Sequence, residues 1–363
     1  MAPPGLSFPR PRKGEGRQFG PNGIGTHLAP AYYVGVTPVG SGFPRPSLGL
    51  ILPATLQGEL VPTEGNTSGS TGSAATLVEL CRRAEATGAD SLWAVDHLFW
   101  PHPIVEPMTT LAVAATATTR PMLGTCVLQL PLRPAAAVAK QATALQLLSG
   151  DRFVLGLGVG SHRAEYERAG VDFARRGRLM DRGVAELRTA WAPSSGGYGQ
   201  DPSSSPIPLW FGGSSPAARR RAAAAGDGWV PLFVAPDDYE AALASLRQET
   251  EAAGRDPAAV EPGVVVFARV GDDREAPAAG AEWLSALYRV PPKAFQRHLV
   301  AGSPETCAAA LGRYADAGAR HIVVMVAGSP AVEHFSLLRA AFSGAPHPGQ
   351  QSARQPAFAG VSA

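Results

Sequence analysis

The sequence is poor in cysteine and has no strong excess of charge of either sign. Its 363 residues include only three cysteines, at positions 81, 126 and 307, which follow no CxxC or Cys/His spacing. Cysteines this far apart exclude a disulfide framework and indicate no zinc site, so we expect three small buried thiols and no metal. The formal net charge of +2 excludes a strongly basic protein, and nucleic acid is therefore not an expected partner.

Long hydrophobic runs are also missing. No apolar stretch approaches the roughly 20 residues that a membrane-spanning helix needs, so we expect no membrane partner and a cytoplasmic location. Apolar residues nevertheless make up 45% of the chain. That content can bury a large core, in one α/β domain or in two smaller ones.

The two ends of the chain differ in composition from its centre. Residues 1–46 are rich in Pro, Gly and Arg and show almost no apolar periodicity, which predicts a flexible N-terminal extension. Residues 344–363 predict a disordered C-terminal tail. The folded domain is predicted at 47–343, where strand and helix signals alternate and a long Gly/Ser/Thr-rich loop precedes residue 74.

The clearest of these signals is a strand, a helix and a second strand in succession. The apolar run 124–130 is closed by prolines, the alanine-rich segment 135–148 has helical spacing, and 153–159 is again apolar. Two buried strands joined by one helix imply a right-handed crossover and a parallel sheet. Glycines at 156, 158 and 160 point to one face of the second strand, leaving room there for a flat ligand or for a crowded barrel interior.

Strand signals alternate with helix signals along the whole folded domain. Eight of them begin near residues 48, 91, 124, 153, 207, 228, 264 and 321. This alternation predicts a (β/α)8 TIM barrel, with a doubly wound open sheet as the alternative. In a TIM barrel the chemistry lies at the C-terminal ends of the strands, so the candidate site residues are those just beyond each strand.

Two strand ends carry the strongest candidates. Strand two ends in Asp96 and His97. The imidazole can exchange a proton, and the carboxylate can orient the imidazole or accept a hydrogen bond from a cofactor amide. A simple cap at the end of the strand explains the pair equally well. Strand five ends in Gly212, Gly213 and Ser214 at the start of a helix. The backbone and hydroxyl donors there suit a phosphate, although an ordinary helix cap also explains them.

With these motifs assembled, the chain resembles the bacterial luciferase-like superfamily of flavin- and deazaflavin-dependent barrel enzymes, and within it the branch of coenzyme F420-dependent oxidoreductases. The resemblance rests on the segments AEATGADSLWAVDHLF, LGTCVLQLPLR, AKQATALQLLSGDRFVLGLGVG and PLWFGGSSPAARRRAAAAGDGWVP, which occur in the family's order. It implies a TIM barrel with the flavin or deazaflavin ring over the strand ends. Coenzyme F420 is the cofactor that this branch implies, with FMN as the alternative.

The resemblance also implies roles for individual residues. His97 would be the proton-transfer residue, with Asp96 beside it next to the ring. Cys126 and Val127 would occupy a position that is often a non-prolyl cis peptide supporting the ring.

Two turns would complete the cofactor site. Gly212, Gly213 and Ser214 would hold the cofactor phosphate, and Gly160 and Ser161 would line the ring or its ribityl side. One loop departs from the sugar-phosphate dehydrogenases of the family, which carry a glutamate after strand four. This chain reads Ser161-His162-Arg163 there, so a sugar-phosphate substrate is not expected.

These expectations combine into an enzyme that transfers a hydride between reduced coenzyme F420 and an unsaturated small organic substrate. One alternative is an FMN-dependent monooxygenase that uses molecular oxygen and reduced flavin from a partner reductase. Another is a flavin-binding barrel without catalysis, because a fold does not fix a function. The resemblance further implies a homodimer.

Overall fold

The computed structural model describes residues 45–53, 74–102, 104–192 and 206–344. Apart from residues 45, 46 and 344, the predicted N-terminal extension and C-terminal tail lie outside these residues, and so does the predicted loop at 54–73. The strands are β1 (Ser47–Ile51), β2 (Ser91–Ala94), β3 (Met122–Thr125), β4 (Leu128–Gln129), β5 (Phe153–Gly158), β6 (Leu209–Gly212), β7 (Gly228–Val230), β8 (Glu261–Val270), β9 (Leu299–Gly302) and β10 (His321–Val326). The helices are α1 (Ala74–Ala86), α2 (Pro107–Ala117), α3 (Ala135–Ser149), α4 (Arg163–Arg168), α5 (Arg176–Trp191), α6 (Pro216–Ala225), α7 (Pro236–Ala252), α8 (Ala276–Tyr288), α9 (Pro304–Asp316) and α10 (Ala331–Gly344).

Eight of these strands close into a parallel barrel. Hydrogen-bonded neighbours follow the order β1, β2, β3, β5, β6, β7, β8 and β10, and β10 pairs with both β8 and β1. The ring is therefore complete, which confirms the predicted TIM barrel and rules out the open sheet. The short strand β4 continues β3 along β5, and β9 pairs with the end of β8.

Two tryptophans are the largest side chains buried inside the barrel. Trp93 of β2 and Trp210 of β6 are buried, with ring centroids 5.5 Å apart. Glycines on neighbouring strands make room for them, because a Cβ on Gly124 would overlap the six-membered ring of Trp93 and a Cβ on Gly228 would overlap the indole of Trp210. This packing fills the barrel below its C-terminal mouth, so a ligand of any size must lie over the strand ends.

The other strand faces form the layer between the barrel and the helices. On β5 the side chains of Phe153, Leu155 and Leu157 are buried in the outer core, whereas Val154 belongs to the inner one. The alternation has a period of two because successive side chains of a strand point to opposite faces. Each large side chain buried in this way stabilises the fold by about 1.5–3 kcal/mol.

Most predicted elements agree with the structure within a few residues. One predicted strand is interrupted, and two short elements of the structure were not predicted. The strand predicted at 124–130 ends at Thr125 and resumes at Leu128, and a cis peptide bond joins Cys126 to Val127, as the family resemblance implied. The short helix α4 and the strand β9 were not predicted. The six residues of α4 are too few to produce a clear helical period in the sequence.

We expect Gly124→Ala to lower the free energy of unfolding by about 1–3 kcal/mol, because the added methyl group would overlap the rigid, buried ring of Trp93. Urea denaturation of the purified protein measures the change. Gly312→Ala in α9 is the matched control, since a Cβ there meets no atom within 4 Å and alanine favours a helix. Equal stabilities of the two variants would contradict the proposed packing.

Candidate functional site

The C-terminal end of β2 directs two neighbouring residues to opposite sides. His97 faces the barrel mouth, where it lines a cavity together with Val95 and Met325. Asp96 is buried on the other side, under the chain that follows β3. Because successive residues of an extended chain point to opposite faces, the two side chains cannot contact each other in the way that the sequence pattern suggested.

The partner of His97 is Glu165, on the short helix α4. Its Oε2 atom lies 2.8 Å from Nδ1 of His97, and its side chain is fully buried whereas that of His97 is 25% exposed. The other oxygen, Oε1, accepts a hydrogen bond of 3.1 Å from the backbone N–H of Phe99. A third donor, Nε2 of Gln129, lies 3.3 Å from Oε2. Glu165 therefore ties the loop after β2 to the loop after β5.

The charge state of Glu165 follows from these contacts. Burial by itself would raise the pKa of the carboxyl, but the hydrogen bonds from His97, Phe99 and Gln129 and the charge on His97 outweigh it and hold the pKa below its ordinary value. The side chain is consequently an ionised carboxylate at neutral pH.

Asp96 has a different partner, Arg133. The guanidinium binds the carboxylate with two hydrogen bonds, Nη2 to Oδ1 at 2.7 Å and Nε to Oδ2 at 3.2 Å. Oδ2 also accepts a bond of 2.9 Å from the backbone N–H of Gln129. Both oxygens of Asp96 are thus bonded to Arg133 or to the backbone of β4, and the carboxylate in contact with His97 is that of Glu165.

Glycines in or just after β5 and β6 leave room for the segment of the chain that follows β3. A Cβ on Gly158 would overlap Cγ2 of Val127, one on Gly212 would lie 2.5 Å from its Cγ1, and one on Gly160 would overlap Oε1 of Gln129. Val127 therefore sits between two glycines from different strands. Of the two explanations open from the sequence, the crowded barrel interior is the one that the structure supports.

Cys126 precedes Val127 at the barrel mouth and is partly buried, whereas Cys81 and Cys307 are fully buried. Loss of solvent around the thiol raises the pKa of Cys126 to about 12, so it is a neutral thiol at physiological pH. Burial also raises the pKa of the nearby Tyr288 phenol. Neither group can serve as a base near neutral pH.

The turn after β6 lies at the same end of the barrel as His97, because all eight barrel strands run in parallel. Gly213 has a φ angle of 104°, a conformation that glycine adopts without strain, and its carbonyl accepts from Nε1 of Trp229 at 3.0 Å. Ser215 caps α6 by accepting from the N–H of Ala218 at 3.2 Å. The helix-cap explanation thus applies to Ser215, and Ser214 stays exposed before it.

Aromatic side chains surround the imidazole of His97. The Trp100 ring packs against it at a tilt of 35°, with centroids 4.1 Å apart, and the rings of His162 and Tyr288 meet Trp100 edge-on at 5.3 and 5.8 Å. Beside them lies a cavity of about 40 Å³. Its walls are Val95, His97, Trp100, Ile104, Leu287, Tyr288 and Met325.

Several buried polar atoms near His97 have no hydrogen-bond partner among the described residues. They are Nε1 of Trp100, Oε1 of Gln129 and Nδ1 of His162. Buried polar atoms are normally paired, and Trp100 belongs to the wall of the cavity beside His97, so its Nε1 is a candidate partner for a polar ligand there. A larger cleft of about 470 Å³ lies between α5 and α6, on the outer face of the barrel and away from these atoms.

Within 45–53, 74–102, 104–192 and 206–344, no group of three or more His, Cys, Asp or Glu side chains is arranged as metal ligands would be. None of the helices in this part of the chain is long and apolar enough to cross a membrane.

The sequence predicts a role for His97, which stays a prediction, and none for Glu165. The candidates after the fourth predicted strand, which is β5 of the structure, were limited to 161–163 because the helix α4 was not predicted. A helix beginning at residue 163 turns residue 165 back toward the strand ends, so the acidic residue in RAEYER was the available signal. Trp100 belonged to a motif that was recognised, but no role had been given to it.

Comparison with known proteins relates the barrel to one family. The model of the luciferase-like monooxygenase family matches residues 48–279. The phthiodiolone/phenolphthiodiolone dimycocerosates ketoreductase of Mycobacterium kansasii is 29% identical over 230 residues, which are 53% of this chain and 62% of that protein.

Two solved structures share the fold. One is an F420-dependent secondary alcohol dehydrogenase in complex with an F420–acetone adduct, with a TM-score of 0.69 and 19% identity over 82% of this chain and 99% of that one. The other is the oxygenating constituent of 3,6-diketocamphane monooxygenase from Pseudomonas putida in complex with FMN. Its TM-score is 0.63, with 15% identity over 82% of this chain and 97% of that one.

Proposed function

The chain belongs to the luciferase-like monooxygenase family, and from this premise we propose that it is an oxidoreductase that transfers a hydride between coenzyme F420 and the carbonyl group of a small, uncharged substrate. The observation that carries the proposal is the pair formed by His97 and the buried carboxylate of Glu165, which meets an apolar cavity at the barrel mouth. A barrel that only binds a flavin has no need of such a pair.

The residues at the mouth fit a flavin-like cofactor. Trp93 and Trp210 are buried in the barrel below them, and the unpaired Nε1 of Trp100 offers a partner to a polar ring. Cys126 and Val127, at the break between β3 and β4, would hold the ring, and the exposed turn of Gly213 and Ser214 would hold the phosphate. When bound, the deazaflavin supplies or takes up the hydride.

The chain's own residues would manage the proton. Reduction of a carbonyl adds a hydride to the carbon and requires a proton at the oxygen, which the doubly protonated imidazolium form of His97 can give, leaving the neutral imidazole. Trp100 Nε1 is buried beside the cavity without a partner among the described residues, and it can donate a hydrogen bond to the carbonyl oxygen without giving up its proton. In the oxidation direction His97 would accept the proton instead.

The cavity favours a substrate with apolar substituents. Val95, Ile104, Leu287 and Met325 form its aliphatic walls. A charged group placed there would lose its hydration without gaining an ion-pair partner, at a cost of several kcal/mol. The Mycobacterium kansasii relative, named as a ketoreductase, and the alcohol dehydrogenase neighbour support a carbonyl or alcohol substrate.

The second candidate is an FMN-dependent monooxygenase. The likeness to the FMN complex from Pseudomonas putida favours it, because the cofactor of that barrel lies on the same fold. A partner reductase would belong only to this alternative. A homodimer remains a prediction for either function.

Titration of the purified full chain with coenzyme F420 and with FMN, followed by absorbance, tests the proposal. We expect binding of F420, and oxidation of reduced F420 when small ketones such as acetone or cyclohexanone are added. Binding of FMN alone, with oxygen consumed when reduced FMN is supplied, would replace the proposal by the monooxygenase.

A further inference from the structure

We propose that Glu165 is a positioning residue that holds the imidazole of His97 in the tautomer with the proton on Nδ1, so that Nε2 is the atom that exchanges a proton with substrate. The inference rests on the proposed function for one point only, which is that His97 transfers a proton. The tautomer itself is a property of the protein without cofactor or substrate.

The contacts of Glu165 define what it can do. Its carboxylate is fully buried and ionised, and an ionised carboxylate can only accept hydrogen bonds. At 2.8 Å from Nδ1, it requires that nitrogen to carry a proton. The neutral ring then has an unprotonated Nε2, and the second oxygen is fixed by the N–H of Phe99.

The side chain of Gln129 does not accept a hydrogen bond from Nδ1 of His97. Its amide Nε2 lies 2.9 Å from the backbone oxygen of Asp96 and 3.3 Å from Glu165 Oε2, so two acceptors fix the orientation of this NH2 group. The same Nε2 lies 3.4 Å from Nδ1 of His97, where two donors would face each other. Glu165 is therefore the acceptor for Nδ1, and Gln129 helps to hold that acceptor in place.

The Trp100 ring packs against the imidazole at a tilt of 35°, with centroids 4.1 Å apart, and this contact limits rotation of the imidazole. The other ionisable groups facing the pair are His162, whose Nδ1 is 3.9 Å from Glu165 Oε2, and the thiol of Cys126 and phenol of Tyr288, which are neutral. The Asp96 carboxylate is paired with Arg133. Among the described residues, Glu165 is thus the carboxylate that the imidazole contacts.

The experiment compares wild type with Glu165→Gln and uses Glu167→Gln, an exposed position on the same helix, as the matched control. Nitrogen-15 NMR of the imidazoles in the cofactor-free full chain, at a pH where they are neutral, reports the tautomer, and His97→Asn assigns the signal. We expect Nδ1–H in wild type and in the control. Glu165→Gln should lose this single tautomer, because the amide cannot accept from both His97 and Phe99.

Turnover gives the second readout. With reduced F420 and a ketone, Glu165→Gln should lower kcat about 10²-fold with little change in KM, the lower end of what a positioned acid–base group contributes. Glu165→Asp keeps the charge but is one methylene shorter, and it replaces the glutamine variant if that protein does not fold.

Two results would overturn the inference: an Nδ1–H signal that persists in both Glu165 variants, or a lost tautomer with unchanged kcat. If wild type itself does not turn over F420, the proposed function fails. The NMR comparison still decides the role of Glu165 in that case.

Discussion

Replacement of His97 by asparagine should lower kcat by about 10²–10⁴-fold and leave the affinity for the cofactor unchanged. The range is the contribution expected of one positioned general acid or base. Asparagine suits the test because its amide NH2 occupies roughly the position of the imidazole Nδ1 and can still donate to the buried carboxylate of Glu165. The variant therefore removes the proton exchanged at Nε2 without leaving Glu165 unpaired.

His97→Ala is the contrasting variant. It also removes the donor to Glu165 and the ring under Trp100, so it should lose stability as well as activity. His334→Asn on α10 is the control, because that histidine lies outside the cavity beside His97. Steady-state oxidation of reduced F420 gives kcat and KM, and titration of each variant gives the cofactor affinity.

Two outcomes would contradict the role given to His97. An unchanged kcat in His97→Asn would mean that water or another ionisable group supplies the proton. A lost cofactor affinity with normal turnover at saturation would make His97 a binding residue. Loss of kcat in His334→Asn as well would point to a general effect on folding.

The barrel, and the location of the candidate site at its C-terminal mouth, could be predicted because both depend on local patterns. Apolar runs of strand length, helical spacing between them and the rule that parallel strands end on one face are enough to bring His97 and the turn at 212–214 to the same mouth. The opposite directions of Asp96 and His97 also follow from the two-residue period of an extended chain. The sequence itself therefore argues against the contact expected between them.

The contacts of the site depend on register and distance along the chain, which local patterns do not contain. Glu165 meets His97 across 68 positions of sequence, through a helix of six residues. The glycines of β5 were correctly predicted to thin one face of the strand. What fills that face, Val127, depends on the pairing of Leu128 with Leu157, and a shift of one residue would direct a different side chain there.

Arg133→Ala should destabilise the fold by about 3–5 kcal/mol, because it leaves the buried carboxylate of Asp96 without its partner. The side chains of the pair are 14% and 1% exposed, and two hydrogen bonds join them. Asp96 also accepts from the N–H of Gln129, so an unpaired charge there would disturb β4 and, through it, the amide that supports Glu165.

Chemical denaturation of wild type, Arg133→Ala, Asp96→Asn and the double variant gives four free energies of unfolding. Their comparison separates the destabilisation caused by an unpaired buried charge from the stabilisation contributed by the ion pair. The double variant should recover part of the loss, since it buries no unpaired charge. Arg182→Ala is the control: its pair with Glu186 is 78% and 46% exposed, and exposed pairs contribute about 1 kcal/mol or less. If Arg133→Ala proved no more harmful than Arg182→Ala, the pair of Asp96 with Arg133 would not be the contact that holds this part of the fold together.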